Sequence, residues 1–343
     1  MRADGRFTMA DVARLAGVSV STVSNVVNNK DIVSPELTAK VHHAIEATGF
    51  SPNRAARGLR LGCSETIGMV FPDVTNSLYA EIVRGVEDEA IKNGYELMFC
   101  NSNWQADLER RHLDVLQAQG VDGILLVPCN SYAAREVLVL NYPPIVFVDC
   151  LPLGAKVNCV VTNNSEASYE AIRYLLCLGH RKIAVIAPGL TVTTLIDRME
   201  GYRKAMQEAG VAMLSEYTLQ CDPSVEGGRR SGHILFKLPE PPTAIFSLTN
   251  RITLGISQAL RELRIPCPER VSLIGFDDPD WASVFSPTVT AIDQPAYQIG
   301  KSSVQLLLKS IRSAGSKAVN EAHQVLVKSN LRIRESTGPV PKS

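Results

Sequence analysis

The fold of this chain is decided first by residues 8–28, which read TMADVARLAGVSVSTVSNVVN. Thr8 stands three positions before Asp11, and this spacing resembles a capping box, in which two side chains satisfy backbone N–H groups at the start of a helix. Gly17 supplies the turn that follows, since glycine has no Cβ and turns without steric cost. We therefore predict a first short helix with an apolar stripe at Val12, Leu15 and Ala16.

A second short helix is predicted directly after this turn. Ser19 is a typical N-cap residue. The helical period directs one set of side chains inward (Val23, Val26 and Val27) and another outward (Val20, Ser21, Thr22 and Asn25). Two such helices joined by a tight turn are typical of a helix-turn-helix that enters the major groove of DNA. The alternative is an ordinary helical hairpin buried in a larger α domain.

A third helix and a basic segment follow. Ser34-Pro35 predicts the start of the helix, because serine caps helices and proline suits the first helical position. Val41, Ala44 and Ile45 form its predicted core face, and Gly49 ends it. Residues 50–60 then read FSPNRAARGLR. This segment is too short and too glycine-rich to hold as an isolated helix in water, so its simplest interpretation is a flexible basic linker.

These motifs resemble the lactose-repressor family of bacterial transcription regulators. The resemblance is carried by MADVA (9–13), AGVS (16–19), TVS (22–24) and Val27-Asn28, then by Pro52-Asn53, Ala56-Arg57 and Leu59, and it extends over essentially the whole chain. It implies a DNA-binding headpiece over residues 1–50 and a hinge helix over residues 51–62 that folds on operator DNA. It also implies that Leu59 enters the minor groove, where an apolar wedge can kink a base step.

The resemblance and the side-chain chemistry together predict the DNA contacts. Val20 suits a thymine methyl group, Ser21 can pair with several base edges, and Asn25 can form two hydrogen bonds with an adenine. Many family members carry arginine where Asn25 stands, so the operator need not be the family's usual sequence. The predicted DNA-binding residues are Thr8, Ser19, Val20, Ser21, Thr22, Ser24, Asn25, Asn28, Asn53, Arg57 and Leu59.

The charge of the chain is zero overall but is unevenly divided. Its 343 residues include 35 basic side chains (Lys and Arg) and 35 acidic ones. Residues 1–62 hold eight basic and five acidic side chains, a net charge of +3, so the remaining residues carry −3. Positive charge is therefore concentrated where phosphates would be met.

Several classes of protein are disfavoured by composition and motifs. The eight cysteines show no C-x-x-C pair and no metal-like spacing, which suits a reducing compartment and predicts no metal site. No apolar leader or membrane-length apolar span is present, so we expect a cytoplasmic protein without a membrane partner. The G-x-G-x-x-G, G-x-x-x-x-G-K-[ST] and G-x-S-x-G motifs are absent, so neither an enzyme nor a cofactor is predicted. An enzyme or an exported sugar-binding protein remains a distant alternative.

From residue 65 the sequence alternates apolar strands with amphipathic helices. Strands are predicted at 66–71, 95–100, 122–127, 144–148, 182–186, 243–247 and 271–274, and helices at 78–93, 107–119, 166–178, 194–209, 251–263 and 295–311. Alternating βαβ units indicate parallel sheets covered on both faces. We predict an α/β protein, in which a small all-α headpiece precedes a two-lobed core of doubly wound parallel sheets like that of periplasmic binding proteins.

The core is predicted to span residues 63–343 and to bind an effector and dimerise. Lobe one covers about 63–161 and 293–322, and lobe two covers about 162–292 and 323–335. Ligands of such open sheets bind beyond the carboxyl ends of the strands, here in the cleft between lobes. By resemblance, the cleft is lined by Asp149, Arg198, Asn250, Asp277 and Gln294. Further candidates are Asn76, Leu78, Tyr79, Thr162 and Trp281. Asn250 and Asp277 could instead only cap helices or turns.

The predicted cleft residues suit a polyhydroxylated ligand. Carboxylates and amides bond vicinal hydroxyls, a guanidinium offers a planar fork, and Trp281 or Tyr79 could stack on a sugar face. Arg251 stands where many relatives carry an acidic residue, which admits a sugar acid or sugar phosphate beside a neutral sugar. A purine is the main rival effector.

These features together predict a repressor of a carbohydrate-catabolism operon. The protein would bind a palindromic operator in double-stranded DNA as a homodimer, and an effector would shift it between two states by its differential affinity for them. Release and retention of the operator are both compatible with the sequence. The last residues contain no heptad segment, so a dimer is expected rather than a tethered tetramer.

Overall fold

The computed structural model describes residues 7–28, 32–50, 63–189, 191–313 and 322–341. The chain forms two compact units that divide between Ser64 and Glu65. The first unit contains three helices, α1 (Met9–Ala16), α2 (Val20–Val27) and α3 (Pro35–Thr48). The second unit contains two six-stranded sheets. The predicted hinge, residues 51–62, lies outside the described residues, together with its candidates Asn53, Arg57 and Leu59.

The three-helix unit is organised by its caps and by a small valine core. Thr8 N donates to Asp11 Oδ2 at 3.0 Å, and Asp11 N donates to Thr8 Oγ1 at 3.3 Å, which confirms the capping box. Hydrogen bonds from Thr8 lower the pKa of Asp11 to about 2. The core is built mainly from Val12, Val23 and Val41, each fully buried. The helical stripe was wrong at one position, because the side chain of Leu15 is 58% exposed.

The first sheet of the core is entirely parallel. Its strands are β1 (Thr66–Phe71), β2 (Glu96–Asn101), β3 (Gly123–Leu126), β4 (Ile145–Val148), β5 (Cys159–Thr162) and β11 (Gln324–Val327). Their spatial order is β11-β5-β4-β3-β1-β2. The helices of this lobe are α4 (Ser77–Lys92), α5 (Ala106–Ala118), the short α6 (Ala134–Val137) and α11 (Ala296–Ser313). All-parallel strands are buried on both faces, and β1 and β3 are correspondingly apolar.

The second sheet repeats this design with one antiparallel strand. Its strands are β6 (Ile183–Pro188), β7 (Thr218–Cys221), β8 (Ala244–Ser247), β9 (Ser272–Phe276), β10 (Thr290–Asp293) and β12 (Asn330–Arg332). Their order is β12-β10-β9-β8-β6-β7, and only β12 runs antiparallel to its neighbour. The helices of this lobe are α7 (Asn164–Cys177), α8 (Thr193–Glu208), α9 (Val225–Leu235) and α10 (Asn250–Glu262). Short 3-10 turns lie at Ser215–Tyr217 and Asp280–Ser283.

Helices pack in close pairs on these sheets. A Cβ built on Gly85 of α4 would lie 2.1 Å from the carbonyl oxygen of Tyr297 on α11, and a Cβ on Gly300 would lie 2.1 Å from that of Ile82. Only glycine permits such an approach of two backbones. One apolar cluster runs through both lobes, and a separate cluster fills the other face of each sheet.

The chain crosses between the lobes three times. The crossings follow β5, β10 and β11, because β11 pairs with β5 of the first sheet and β12 pairs with β10 of the second. The third crossing therefore lies between Val327 and Asn330. The predicted boundary near residues 322–323 is wrong, because β11 still belongs to the first sheet and the chain reaches the second sheet only after Val327. The α/β fold class with two doubly wound lobes is confirmed. In the described part of the chain, no helix is long and apolar enough to span a membrane.

Candidate functional site

The exposed face of α2 is the candidate nucleic-acid surface of the three-helix unit. Ser19 caps α2, since its Oγ accepts from Thr22 N at 3.1 Å and lies 2.7 Å from Ser21 Oγ. Val20 is 48% exposed, and Ser21 is exposed beside it. Asn25 is half-buried. The helix therefore presents hydroxyls, one methyl-bearing side chain and an amide, which are the groups that read base edges.

Some predicted DNA contacts also serve the headpiece itself. Thr8 caps α1. Asn28 Nδ2 donates to the carbonyl oxygen of Ser24 at 2.6 Å, close to Ser24 Oγ, and so caps the end of α2. A DNA contact by Asn28 would have to share this amide. Local hydrogen bonds of this kind hold α2 in a defined conformation.

The candidate ligand site is a cavity between the two lobes of the core. The space not filled by protein atoms, which includes open solvent at the mouth, amounts to about 490 Å³. Its lining comes from the carboxyl ends of β1, β2, β4, β6, β7, β8 and β9 and from the starts of helices α4, α8 and α10. The lining residues are Asp73, Asn76, Leu78, Tyr79, Trp104, Asp149, Pro188, Val192, Thr194, Leu195, Arg198, Pro223, Thr249, Arg251 and Asp277.

Two buried carboxylates stand at equivalent strand ends in the two lobes. Asp149 follows β4 and Asp277 follows β9, and both adopt left-handed backbone angles, with φ of 62° and 69°. Such angles are unusual outside glycine and are typical of functional sites. Burial raises the pKa of Asp149 to about 6. The positive charge of Arg198 opposes this rise, and the negative charge of Asp277 adds to it. Burial also raises the pKa of Asp277, against the opposing effects of Arg198 and Gln294.

Arg198 is the buried cation between these carboxylates. Its Nε donates to Asn164 Oδ1 and its Nη1 donates to the carbonyl oxygen of Leu248, both at 2.8 Å. The guanidinium carbon lies 3.5 Å from the centroid of the Phe276 ring, so the ring covers one face of the group. These contacts fix the guanidinium plane. Nη2 has no acceptor among the residues that the structure describes, and it is the nitrogen left to bond a ligand.

Several buried polar atoms of the cavity region have no protein partner. Asp149 Oδ1, Thr249 Oγ1 and Asn250 Oδ1 are buried without a hydrogen bond to any described residue. An unpaired buried polar atom costs about 1–3 kcal/mol. Their grouping in one region leaves hydrogen-bonding capacity for a bound molecule.

The mouth of the cavity is bridged by side chains from both lobes. Asn250 Nδ2 donates to Asn76 Oδ1 at 2.8 Å, and Arg251 Nη1 donates to Thr75 Oγ1 at 3.0 Å. Thr75 Oγ1 in turn donates to Asp73 Oδ1 at 2.6 Å. Arg251 is therefore part of an interlobe contact at the mouth.

Three predicted cleft residues, Thr162, Asn250 and Gln294, are not among the residues that line the cavity, and two of them lie at the crossings. Thr162 Oγ1 donates to Gln294 Oε1 at 2.9 Å, and Gln294 Nε2 donates to Asp277 Oδ1 at 2.5 Å. These residues connect two of the interlobe crossings and orient the Asp277 carboxylate. In this conformation each side chain is turned towards the other crossing, and a ligand contact of either residue stays a prediction.

Of the two aromatic side chains predicted to stack on a ligand, only Tyr79 lines the cavity. Trp281 packs on Phe285 with ring centroids 5.1 Å apart and is not among the lining residues. Trp104 lines the cavity and lies 6.5 Å from the ring of Tyr79. Trp104 stands in Asn101-Ser102-Asn103-Trp104, a polar stretch after a strand, and the strand-end rule could have found it.

Comparison with known proteins identifies both parts of the chain. Residues 8–53 match the family described as bacterial regulatory proteins, lacI family, and residues 172–337 match a periplasmic binding protein-like domain. The ribose operon repressor of Escherichia coli (strain K12) is 36% identical over 306 residues, which cover 89% of this chain and 93% of that protein. The chain belongs to the lacI family. This lacI-family protein is therefore a DNA-binding transcriptional regulator and not an enzyme.

Other relatives differ in the ligand or pathway that their names record. The HTH-type transcriptional repressor PurR of Vibrio atlanticus (strain LGP32) is 33% identical over 328 residues, covering 93% of this chain and 97% of that protein. A lacI-family transcriptional regulator from Enterococcus faecium, solved with bound ribose, aligns at a TM-score of 0.71 and 27% identity, covering 80% of this chain and 99% of that one.

Proposed function

We propose that this lacI-family regulator represses a carbohydrate operon and that a neutral monosaccharide, bound between the lobes, controls its grip on the operator. The observation that carries this proposal is the set of buried acceptors around Asp149, Asn250 and Arg198. Sugar hydroxyls donate to carboxylate and amide oxygens and accept from the remaining guanidinium N–H groups. The ribose operon repressor and the ribose-bound regulator support a pentose as the first probe.

The charge of the cavity favours a neutral ligand over an anionic one. Three carboxylates (Asp73, Asp149 and Asp277) and two guanidinium groups (Arg198 and Arg251) line it. An additional negative charge would be desolvated in a site that is already net negative, which is costly. Arg251 is engaged with Thr75 across the mouth. This contact leaves Arg251 less free to pair with the anion of a sugar acid or sugar phosphate.

Calorimetric titration tests this ligand class. We expect D-ribose to bind the wild-type protein at least tenfold more tightly than D-ribonate or ribose 5-phosphate. Arg251→Ala removes one exposed interlobe hydrogen bond, so we expect a two- to fivefold loss of D-ribose affinity. Tight binding of an anion that is lost in Arg251→Ala would contradict the neutral-ligand proposal and assign Arg251 to anion recognition.

A purine effector is the second candidate. The relative called PurR and the two aromatic rings at the cavity, Tyr79 and Trp104, favour it, because aromatic side chains stack on flat bases. The polar atoms described above favour the sugar instead, since a purine offers fewer donors to Asp149 and Asn250. Hypoxanthine and guanine are titrated in the same way. Tight binding of either base, together with no detectable binding of D-ribose, would identify the effector as a purine instead of a sugar.

The headpiece is proposed to read its operator through Val20, Ser21 and Asn25. Asn25→Ala should cost about 1–3 kcal/mol of specific binding and relax the preference at one base pair per half-site. The change removes an amide that is not part of either helix cap. Binding to a set of operator variants measures it, with Leu15→Ala as a control on an exposed side chain of α1. A variant that keeps the wild-type preference at every position would exclude Asn25 as a base-reading residue.

A homodimer is proposed as the DNA-binding form. Edge strand β2 exposes Met98 and Phe99, which are 37% and 58% accessible, and Ile91 of the adjacent α4 is 64% accessible. An unpaired strand edge with apolar side chains is a typical association surface. A dimer would also match the two-fold symmetry of a palindromic operator.

A further inference from the structure

We propose that Ser131 of lobe one caps helix α8 of lobe two across the cleft, and that this cap couples closure of the lobes to effector affinity. The inference rests on the proposed binding of an effector between the lobes. Ser131 is fully buried and follows β3. Its Oγ accepts a hydrogen bond from Thr193 N at 3.0 Å, and its own N–H donates to the carbonyl oxygen of Thr191 at 2.8 Å.

Helix α8 depends on this contact because its own sequence supplies no cap. The residue at its N-cap position is Val192, which forms no side-chain hydrogen bond. The first N–H groups of a helix have no partner within the helix and are usually satisfied by a capping side chain. Here that side chain comes from the other lobe. A second hydrogen bond joins the lobes at the same place, since Thr193 Oγ1 accepts from Leu151 N of lobe one at 2.9 Å.

Lobe one holds Ser131 in position through several bonds of its own. The buried carboxylate of Glu109 accepts from Cys129 N at 2.7 Å. Asn130 Oδ1 accepts from Tyr132 N at 2.9 Å, and the carbonyl oxygen of Ser131 accepts from Leu153 N at 2.8 Å. These three bonds hold the loop that presents the capping hydroxyl, in addition to the bond that the Ser131 N–H donates to Thr191 of lobe two.

The helix that Ser131 caps carries part of the effector site. Val192, Thr194, Leu195 and Arg198 all line the cavity. If the lobes separate, Ser131 leaves and the start of α8 loses its cap. Closure therefore restores a hydrogen bond at the same end of the helix that holds Arg198. This hydrogen bond favours the closed state of the lobes. Because the apparent affinity of an effector that binds between the lobes rises with the population of the closed state, the bond also raises effector affinity.

Ser131→Ala tests the coupling, with calorimetric titration of D-ribose as the readout. We expect a five- to tenfold loss of affinity, and we expect Ser131→Thr, which keeps the hydroxyl, to stay within twofold of wild type. Ser224→Ala is the matched control, because Ser224 Oγ accepts from Gly227 N at 3.0 Å and caps α9 within lobe two. The control should lose thermal stability to a similar extent and keep its D-ribose affinity within twofold.

Hydrogen–deuterium exchange on the ligand-free full-length protein provides a readout that needs no effector. We expect the amides of residues 191–196 to exchange at least fivefold faster in Ser131→Ala than in wild type, and to be unchanged in Ser224→Ala. If D-ribose does not bind the wild-type protein, the proposed sugar is contradicted. The exchange rates of residues 191–196 still test the cap in that case. Wild-type exchange at residues 191–196 in Ser131→Ala, or equal losses of affinity in both alanine variants, would overturn the inference.

Discussion

Arg198→Met should reduce D-ribose affinity at least a hundredfold. The variant removes the only guanidinium that contributes to the electrostatics of both Asp149 and Asp277. It also leaves Asn164 Oδ1 and the carbonyl oxygen of Leu248 without the donors that they have at 2.8 Å. Removing one partner from a buried charge network costs about 3–5 kcal/mol. We expect the operator to be bound as before and to stop responding to the sugar.

The controls for Arg198→Met separate ligand binding from folding. Arg203→Met changes an exposed arginine on the same helix and should leave both affinity and stability unchanged. Arg198→Lys keeps the charge but loses the planar fork, so its D-ribose affinity should fall between those of wild type and Arg198→Met. Circular dichroism and calorimetric unfolding report whether each variant is folded. A folded Arg198→Met variant that binds D-ribose within threefold of wild type would remove Arg198 from the site.

Asp149→Asn should make the ligand-free protein more stable and the sugar-binding function weaker. Burial raises the pKa of Asp149 from 3.8 to about 6. A raised carboxyl pKa means that the folded state holds its proton while the unfolded state releases it, so stability falls as pH rises from about 4 to 6. Above pH 6 the penalty is complete and amounts to at most about 3 kcal/mol. Asparagine removes this charge and tolerates the left-handed backbone at position 149.

The same substitution should remove a pH dependence of effector binding. A ligand that donates to the ionised carboxylate favours deprotonation, so D-ribose affinity should be level above pH 6 and weaken as pH falls below it. Asp149→Asn should bind weakly at every pH between 5 and 8. Asp73→Asn is the control, since Asp73 is a half-buried carboxylate at the mouth and its replacement should not raise stability. An Asp149→Asn protein that is less stable than wild type at pH 7.5 would contradict the electrostatic account.

The fold could be predicted where local signals were strong. The Thr8–Asp11 capping box spans three residues and the Gly17 cap spans four, and the structure contains both. The buried strand β1 has the predicted bounds, because an unbroken apolar run between polar residues leaves little choice. Five short strands, β5, β7, β10, β11 and β12, were missed, since three or four residues are too few for a periodic pattern to distinguish a strand from a loop. Leu15 was assigned to the core because helical period alone cannot reveal how three helices divide one small interior.

The candidate site was predictable in outline and less so in detail. Asp149 and Asp277 follow apolar strands, so the strand-end rule brought both to the cavity. The rule does not say which way a side chain turns at a crossing, and Thr162 and Gln294 turn towards each other. It also cannot say what crosses the cleft. Arg251 has the charge of an anion-binding group, but its position opposite Thr75 is a property of the closed lobes.

The most direct test of the account measures operator binding and sugar binding on one complex. Fluorescence anisotropy of a labelled palindrome, selected from the promoter region beside the chain's own gene, would be followed with and without D-ribose at fixed salt. We expect two chains per palindrome and a change of at least tenfold in operator affinity on saturation with the sugar, in wild type but not in Arg198→Met. Specific operator binding that is the same with and without every neutral monosaccharide, and that changes only with a purine, would contradict the account.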